Sequence, residues 1–301
     1  MSAILLDGEK LAAKIKEGLQ KEIEALKSKG VAPRLVAVQV GENPASRVYI
    51  KQQKKACEDM GITYELKELA ADTTQEKLLA FIESLNQDKK VSGIILQMPL
   101  PAGLDARSVQ VKISPDKDVE GMHPVNMGML VYGKIKLAPP TALGAVELLK
   151  SSGVDIKGKE VVIVGHSEIV GKPIDLIMLA SQMESATPTV CHIATKDLTF
   201  HTKRADILFV AAGKPGLVRG DMIKPGAIVI DIGINRVPLL DGKGDPVLND
   251  KGKPKKKTVG DVEFDKAKEV ASFISPVPGG VGPLTVTMLI RNTVECAKNQ
   301  A

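Results

Sequence analysis

The stretch Val161-Val-Ile-Val-Gly165-His-Ser167-Glu-Ile-Val-Gly171-Lys-Pro173 decides how the chain is read. Its four consecutive β-branched residues have the look of a strand buried on both faces. The run gives way at Gly165 to a polar turn, and Gly171 opens a helix. Pro173 lies near the start of that helix, where a missing N–H costs nothing. Such a turn leaves backbone N–H groups free at the positive end of a helix, where a pyrophosphate can sit. The spacing is G-x-S-x-x-x-G, one residue off the G-x-G-x-x-G dinucleotide fingerprint. Taken alone, the motif fits an ordinary strand-to-helix turn as well as a nucleotide site.

Outward from this turn the chain alternates. Strands are expected at 160–164, 189–192, 207–211 and 227–232, with a helix at 171–180. Residues 238–258 have only a short apolar piece and should form a loop or hairpin. Upstream, Asp7 can cap a helix over 8–29, whose Leu11, Ile15, Leu19, Ile23 and Leu26 recur every three or four residues. A strand at 34–40 follows, then a helix opened by Asn43-Pro44-Ala45-Ser46 and running to about 60. A strand at 63–66, a helix at 74–85 and a strand at 91–98 complete this series. Strands separated by helices imply right-handed crossovers and largely parallel sheets. Residues 103–145 are less regular, and helix resumes at 143–151. The helix at 284–298 cannot stand alone, so it should pack back on the first domain and make it discontinuous.

Composition removes several classes. With 44% of 301 residues apolar, the chain can offset the entropy of folding, which excludes dominant disorder. No uncharged apolar stretch approaches the ~20 residues of a membrane span. No basic segment precedes an apolar one at the N-terminus, so no secretory signal is expected. Cys57, Cys191 and Cys296 cannot all pair and form no C-x-x-C, which fits a reduced, cytoplasmic setting. With no Trp, three Tyr and five Phe there is little surface on which to stack bases, which argues against nucleic acid as a partner. Lys251, Lys253, Lys255, Lys256 and Lys257 read as a solvated loop, with a nucleic-acid patch as the sharper alternative.

Other segments carry chemistry-bearing groups. Ser275-Pro-Val-Pro-Gly-Gly-Val-Gly-Pro-Leu-Thr285 fixes a backbone course that a ligand could approach closely, or forms a tight interdomain turn. Tyr49 and Gln53 share a helix face, and Gln97 ends a buried strand, where parallel sheets line binding crevices. Asp118 and Glu120 are either a polar turn or site acids. His123, His166, His192 and His201 lack metal-ligand spacing, so no metal is expected. A G-x-S-x-G elbow is absent.

Together these segments resemble the methylenetetrahydrofolate dehydrogenase/cyclohydrolase family. The resemblance is carried by Tyr49 with Lys55-Ala-Cys57-Glu58 and by Gly93-Ile-Ile-Leu-Gln97-Met-Pro-Leu-Pro101. Pro115-Asp-Lys-Asp-Val-Glu-Gly121 and Pro276-Val-Pro-Gly-Gly-Val-Gly-Pro283 complete it. It implies an α/β fold of two domains with a cleft between them. One is a discontinuous folate-binding domain over 1–145 with 276–301, the other a Rossmann-type dinucleotide-binding domain over 146–275. It implies oxidation of 5,10-methylenetetrahydrofolate to 5,10-methenyltetrahydrofolate by hydride transfer to NAD or NADP. Many members also hydrolyse the product to 10-formyltetrahydrofolate. A homodimer acting on a small-molecule folate, away from membranes, goes with it.

The resemblance implies Tyr49, Gln53, Gln97 and Glu120 as catalytic positions. Tyr49, Gln97, Glu120, Pro278, Gly279 and Gly280 would meet the tetrahydrofolate derivative. Thr141, Gly165, His166, Ser167, Ile169, Ile193, Ile234 and Thr285 would meet the cofactor. Three places depart from the family pattern: Gln53 replaces Lys, Glu120 replaces Asp, and Pro139-Pro140-Thr141-Ala142 replaces Pro-Cys-Thr-Pro. An amide does not titrate near pH 7 and cannot shuttle protons as an ammonium can. Lys54 lies ~100° further round the helix and is a poor substitute. The expectation is therefore a dehydrogenase with weak or absent cyclohydrolase activity. The alternatives are a fully bifunctional enzyme and a non-catalytic dinucleotide-binding scaffold. NAD is expected over NADP, because His166 and Ile193 offer a 2′-phosphate little fixed positive charge. Against NAD, no Asp or Glu occupies the end of the second Rossmann strand to hold a ribose hydroxyl.

Overall fold

The computed structural model describes residues 2–43, 46–242, 245–250 and 252–300. The strands are β1 (Ile4–Leu5), β2 (Arg34–Val40), β3 (Thr63–Leu69), β4 (Gly93–Leu96), β5 (Glu160–Val164), β6 (Thr187–Cys191), β7 (Ile207–Val210), β8 (Ile228–Asp231), β9 (Asn235–Pro238), β10 (Lys256–Val259) and β11 (Phe273–Ile274). The helices are α1 (Gly8–Ser28), α2 (Arg47–Asp59), α3 (Gln75–Gln87), α4 (Ala106–Lys112), α5 (Pro124–Val131), α6 (Pro140–Lys150), α7 (Gly171–Met178), α8 (Leu198–Thr202), α9 (Phe264–Val270) and α10 (Val281–Lys298). They form two compact units, Met1–Leu11 with Gly144–Leu284 and Ala12–Leu143 with Thr285–Ala301.

The first unit is built on a parallel sheet of order β1-β11-β8-β7-β5-β6. Its central strands β5, β7 and β8 are almost wholly apolar because both faces are covered, whereas β1 and β6 at the two edges are largely exposed or half-buried. Val162, Val164, Leu208, Val210 and Val229 enter one core with Ala205, Met222 and Ala267, while Val161, Ile163, Ile207, Phe209 and Ile230 are buried on the other face. The second unit has a parallel sheet of order β3-β2-β4. Along β2, Leu35 and Ala37 pack with Ile23, Cys57, Leu289 and Val294. Val36, Val38 and Val40 face the opposite way, toward Leu78, Ile82 and Val109. This period of two explains the unbroken apolar run at 34–40.

Residues 1–11 and 276–284, expected with the folate-type domain, belong to the six-stranded unit instead. Ile4 and Leu5 pair in parallel with Phe273 and Ile274 at the sheet edge, and the Gly8 N–H donates to the Gly279 carbonyl over 2.9 Å. The rest of α10 does return to the second unit. Residues 103–145, read as irregular, contain α4 and α5. Each is too short for its periodicity to be legible, yet each is capped: Asp105 Oδ1 accepts from the Arg107 N–H at 3.0 Å, and His123 Nδ1 from the Val125 N–H at 3.1 Å.

Asp7 caps α1 as expected, accepting from the Lys10 N–H at 2.9 Å. β9 and β10 form an antiparallel hairpin, and Lys253, Lys255, Lys256 and Lys257 are exposed there. Lys251 of that run, and Pro44 and Ala45 of the expected helix opening, lie outside the described residues. All three cysteines are buried and unpaired. Among the described residues, no helix is long and apolar enough to cross a membrane.

Candidate functional site

In the second unit the chain passes from the central strand β2 through α2 to β3 on one side, and then through α3 to β4 on the other. Such a switch of direction is where open parallel sheets form crevices. The helix α2 presents Tyr49 and Gln53 one turn apart, and Gln97 follows β4, its N–H bonded to the Val38 carbonyl at 2.8 Å. Gln53 is fully buried. Its Oε1 accepts from Gln97 Nε2 at 2.9 Å and from the Tyr64 hydroxyl at 3.2 Å. Its Nε2 has no hydrogen-bond partner. Burial pushes the Tyr49 phenol up to about 12, with Glu120 adding to the rise and the neighbouring Gln53 amide opposing it.

Glu120 keeps some exposure as a residue, but its carboxyl group is enclosed. Burial pushes it up to about 8, Asp118 reinforces the rise, and the Leu96 N–H opposes it. Two devices hold the Glu120 segment. Gly121 has φ +63°, and a Cβ there would lie 2.5 Å from the Ala138 backbone. Asn292 on α10, fully buried, donates through Nδ2 to the carbonyls of Val119 and Ala138, both at 2.8 Å. Asp118 is a turn residue: its Oδ2 accepts from the His123 N–H at 2.7 Å and from Asn126 Nδ2 at 2.9 Å. Lys54 is exposed and pairs with Glu58 at 3.8 Å, so it does not stand in for Gln53. Thr141 and Thr285 meet at 3.4 Å between their hydroxyl oxygens.

The first unit holds the glycine turn. Gly165 follows β5 with φ +119°, and a Cβ there would lie 2.2 Å from the Ala211 carbonyl oxygen after β7. On Gly171 it would lie 1.9 Å from the Gly165 carbonyl oxygen. Only glycine permits this approach, and it falls where the strand order β6-β5-β7 switches direction. His166, Ser167, Ile169, Ile193 and Ile234 are exposed, and the His166 and His192 rings lie 5.0 Å apart. Pro278 is exposed, whereas the neighbouring glycines pack tightly: a Cβ on Gly8 would lie 1.7 Å from the Gly280 oxygen.

Near the end of β8 two buried carboxylates tie loops together. Asp231 Oδ1 accepts from the Gly233 and Asp261 N–H groups at 2.9 and 3.0 Å, and its Oδ2 from the Val262 N–H at 2.9 Å. Burial still pushes Asp231 up to about 6. Asp261 Oδ2 accepts from the Ala212 and Gly213 N–H groups at 2.6 and 2.8 Å.

Tyr49, Gln53, Gln97 and Glu120 are thus gathered in one unit. Gly165, His166, Ser167, Ile169, Ile193, Ile234 and Pro278 to Gly280 lie in the other. Sequence reasoning missed Tyr64, Asp231, Asp261 and Asn292. Only Tyr64 had a readable signal, since alternation along β3 sets it on the face of Leu66, toward the core that includes Cys57 of α2. Among the described residues no group of His, Cys, Asp or Glu could hold a metal ion.

A glycine turn at the switch point of a parallel sheet, in a chain whose other unit holds a buried polar cluster, defines a two-unit α/β protein with a dinucleotide-binding fold. The tetrahydrofolate dehydrogenase/cyclohydrolase catalytic domain matches residues 6–120, and the NAD(P)-binding domain of that name matches residues 139–301. Proteins named bifunctional protein FolD are similar over the full length. The one from Acetivibrio thermocellus is 49% identical over 301 residues, covering 100% of this chain and 99% of that protein. The one from Bacillus subtilis is 47% identical, covering 99% of each. The crystal structure of the bifunctional FolD enzyme from Campylobacter jejuni has a TM-score of 0.90 at 44% identity, covering 100% of both chains. A Trypanosoma brucei FolD structure, in complex with NADP cofactor and an inhibitor, has a TM-score of 0.88 at 38% identity, covering 99% of this chain and 98% of that one. The chain belongs to the tetrahydrofolate dehydrogenase/cyclohydrolase family.

Proposed function

We propose that this chain oxidises 5,10-methylenetetrahydrofolate to 5,10-methenyltetrahydrofolate, with NAD or NADP taking the hydride. The observation that carries the reading is the convergence of Tyr49, Gln53, Gln97 and Glu120 at the carboxyl ends of β2 and β4, in a chain that matches the family throughout.

The glycine turn fits a dinucleotide, because backbone approaches that no Cβ could enter carry the chain sharply from β5 into α7 at the switch point of the sheet. Gly165, His166, Ser167, Ile169, Ile193 and Ile234, with Thr141 and Thr285, are the residues assigned to it. When bound, the nicotinamide accepts the hydride. Gln53 and Gln97 orient the folate, with Pro278, Gly279 and Gly280 assigned to the same substrate. Tyr49 remains a neutral phenol, and Glu120 is mostly a neutral acid at pH 7. The crevice therefore offers donors without an ammonium among these four groups. That suits hydride loss, which leaves positive charge on the folate N–C–N unit, since a fixed cation beside it would oppose the charge.

Hydrolysis of the product makes a different demand. Water adds to the methenyl carbon and loses one proton to give a carbinolamine. A C–N bond then breaks as its nitrogen gains a proton and the hydroxyl loses one, leaving the formyl carbonyl. The relatives' names favour this second activity as well, with Glu120 as the proton-holding group. Gln53 favours a narrower enzyme whose hydrolysis is weak, because its amide cannot exchange a proton near neutrality. NAD is the proposed cofactor, since the fully exposed Ile193 offers a 2′-phosphate no donor from its side chain. On the resemblance the enzyme is a cytoplasmic homodimer.

Methenyltetrahydrofolate formation, followed spectroscopically with each cofactor, tests the reading; no turnover with either one rejects it. A higher kcat/KM with NADP rejects the NAD assignment. Decay of supplied methenyltetrahydrofolate at a rate comparable to dehydrogenation establishes the bifunctional form.

A further inference from the structure

The Gln53 side chain is fully buried and half satisfied. Both lone pairs of its carbonyl oxygen are used, one by Gln97 Nε2 at 2.9 Å and one by the Tyr64 hydroxyl at 3.2 Å. Its amide nitrogen carries two hydrogens and has no partner. The Tyr49 phenol is near enough to feel the amide, but the pair does not reach hydrogen-bond geometry. Buried donors are almost always paired in native proteins, so an orphan held in place by two donors to its own carbonyl points to an acceptor that arrives with a ligand. Tyr64 is half-buried on β3, and burial raises its pKa, so its hydroxyl stays protonated and able to donate.

We infer that Tyr64 is a positioning residue for the folate reaction: with Gln97, its hydroxyl fixes the Gln53 amide so that the Nε2 hydrogens face an acceptor atom of the bound folate. The inference rests on the function proposed above. Without the Tyr64 hydroxyl one lone pair of Gln53 is freed, and the amide can turn its oxygen toward the folate, where two acceptors would repel.

The test is a double-mutant cycle between Tyr64→Phe and Gln53→Met, which keeps the length of the side chain but removes its amide. In the wild-type background Tyr64→Phe should lower kcat/KM for methylenetetrahydrofolate roughly tenfold, leaving the KM for the nicotinamide cofactor unchanged. In the Gln53→Met background the same change should cost less than about twofold. If Gln53→Met abolishes turnover, calorimetric Kd values for tetrahydrofolate complete the cycle. If Tyr64→Phe does not fold, Tyr64→Met is read in the same way. Equal losses in both backgrounds, or no loss in the wild type, overturn the role of Tyr64. A wild-type chain that neither binds tetrahydrofolate nor turns over methylenetetrahydrofolate overturns the proposed function, and this role with it. A wild-type chain that does both while the cycle shows no coupling overturns the role of Tyr64 alone.

Discussion

Gln97 and Gln53, 44 positions apart in the chain, are joined side chain to side chain by a 2.9 Å hydrogen bond inside the second unit. Neither group titrates near neutrality, so the pair can orient a substrate but cannot carry its protons. Gln53→Lys would place an ammonium in the same space, beside the phenol and carboxyl groups of Tyr49 and Glu120. Hydrolysis of supplied methenyltetrahydrofolate should rise by about tenfold or more, the usual scale of an added acid–base group. Unchanged hydrolysis in a folded variant would contradict the assignment of Gln53 as the limiting residue.

Glu120 sets a pH dependence whose sign follows from burial. Its carboxyl is raised from 4.5 to about 8, so the folded protein favours the protonated form. The stabilisation from that proton is complete below the unfolded value and is lost as pH rises through about 8. Urea denaturation should therefore show stability falling between about pH 5 and 9, and Glu120→Gln should flatten this decline. Dehydrogenation should lose activity above about pH 8 in the wild type, and a profile flat to pH 9 would show that the carboxyl does not act in its neutral form.

The parallel sheets, the glycine turn and the position of Gln97 at the end of β4 were legible because they rest on local patterns. Val161 to Val164 are apolar without a break, Gly165 interrupts them, and Gln97 stands alone as a polar residue after Gly93-Ile-Ile-Leu96. The two-residue strands were not legible, since Ile4–Leu5 acquires meaning only from pairing with Phe273–Ile274, and that piece only from lying between Ile4–Leu5 and β8. Their pairing is also what moves residues 1–11 and 276–284 into the six-stranded unit. Tyr64 and Asn292 escaped notice for a related reason. Their hydrogen bonds reach Gln53 from a neighbouring strand and Val119 from 173 positions away.

Asp231 is an acceptor for three backbone N–H groups while itself buried. Asp231→Asn replaces one acceptor oxygen with a donor that faces another donor. The six-stranded unit should lose about 1–3 kcal/mol, read from urea denaturation followed by circular dichroism. A loss below a few tenths of a kcal/mol would mean that the loops after β8 relax to find other partners.

Gly165→Ala tests the turn. The added methyl would meet the Ala211 carbonyl oxygen at 2.2 Å, at a backbone φ of +119° that L-residues avoid. The sheet end should shift and the affinity for NAD should fall by at least roughly tenfold in a calorimetric titration, while tetrahydrofolate binding is retained. Loss of both ligands together would mean that the substitution unfolds more than the turn.

The most direct measurement compares methenyltetrahydrofolate formation by the wild type and by Gln97→Ala, with saturating NAD and then NADP. The expected result is steady turnover by the wild type with at least one cofactor. Gln97→Ala should lose roughly a hundredfold in kcat/KM while melting as a folded protein, because the substrate loses a group that orients it. A wild type that forms no product with either cofactor, or a Gln97→Ala variant as active as the wild type, would contradict the assignment of folate oxidation to this crevice.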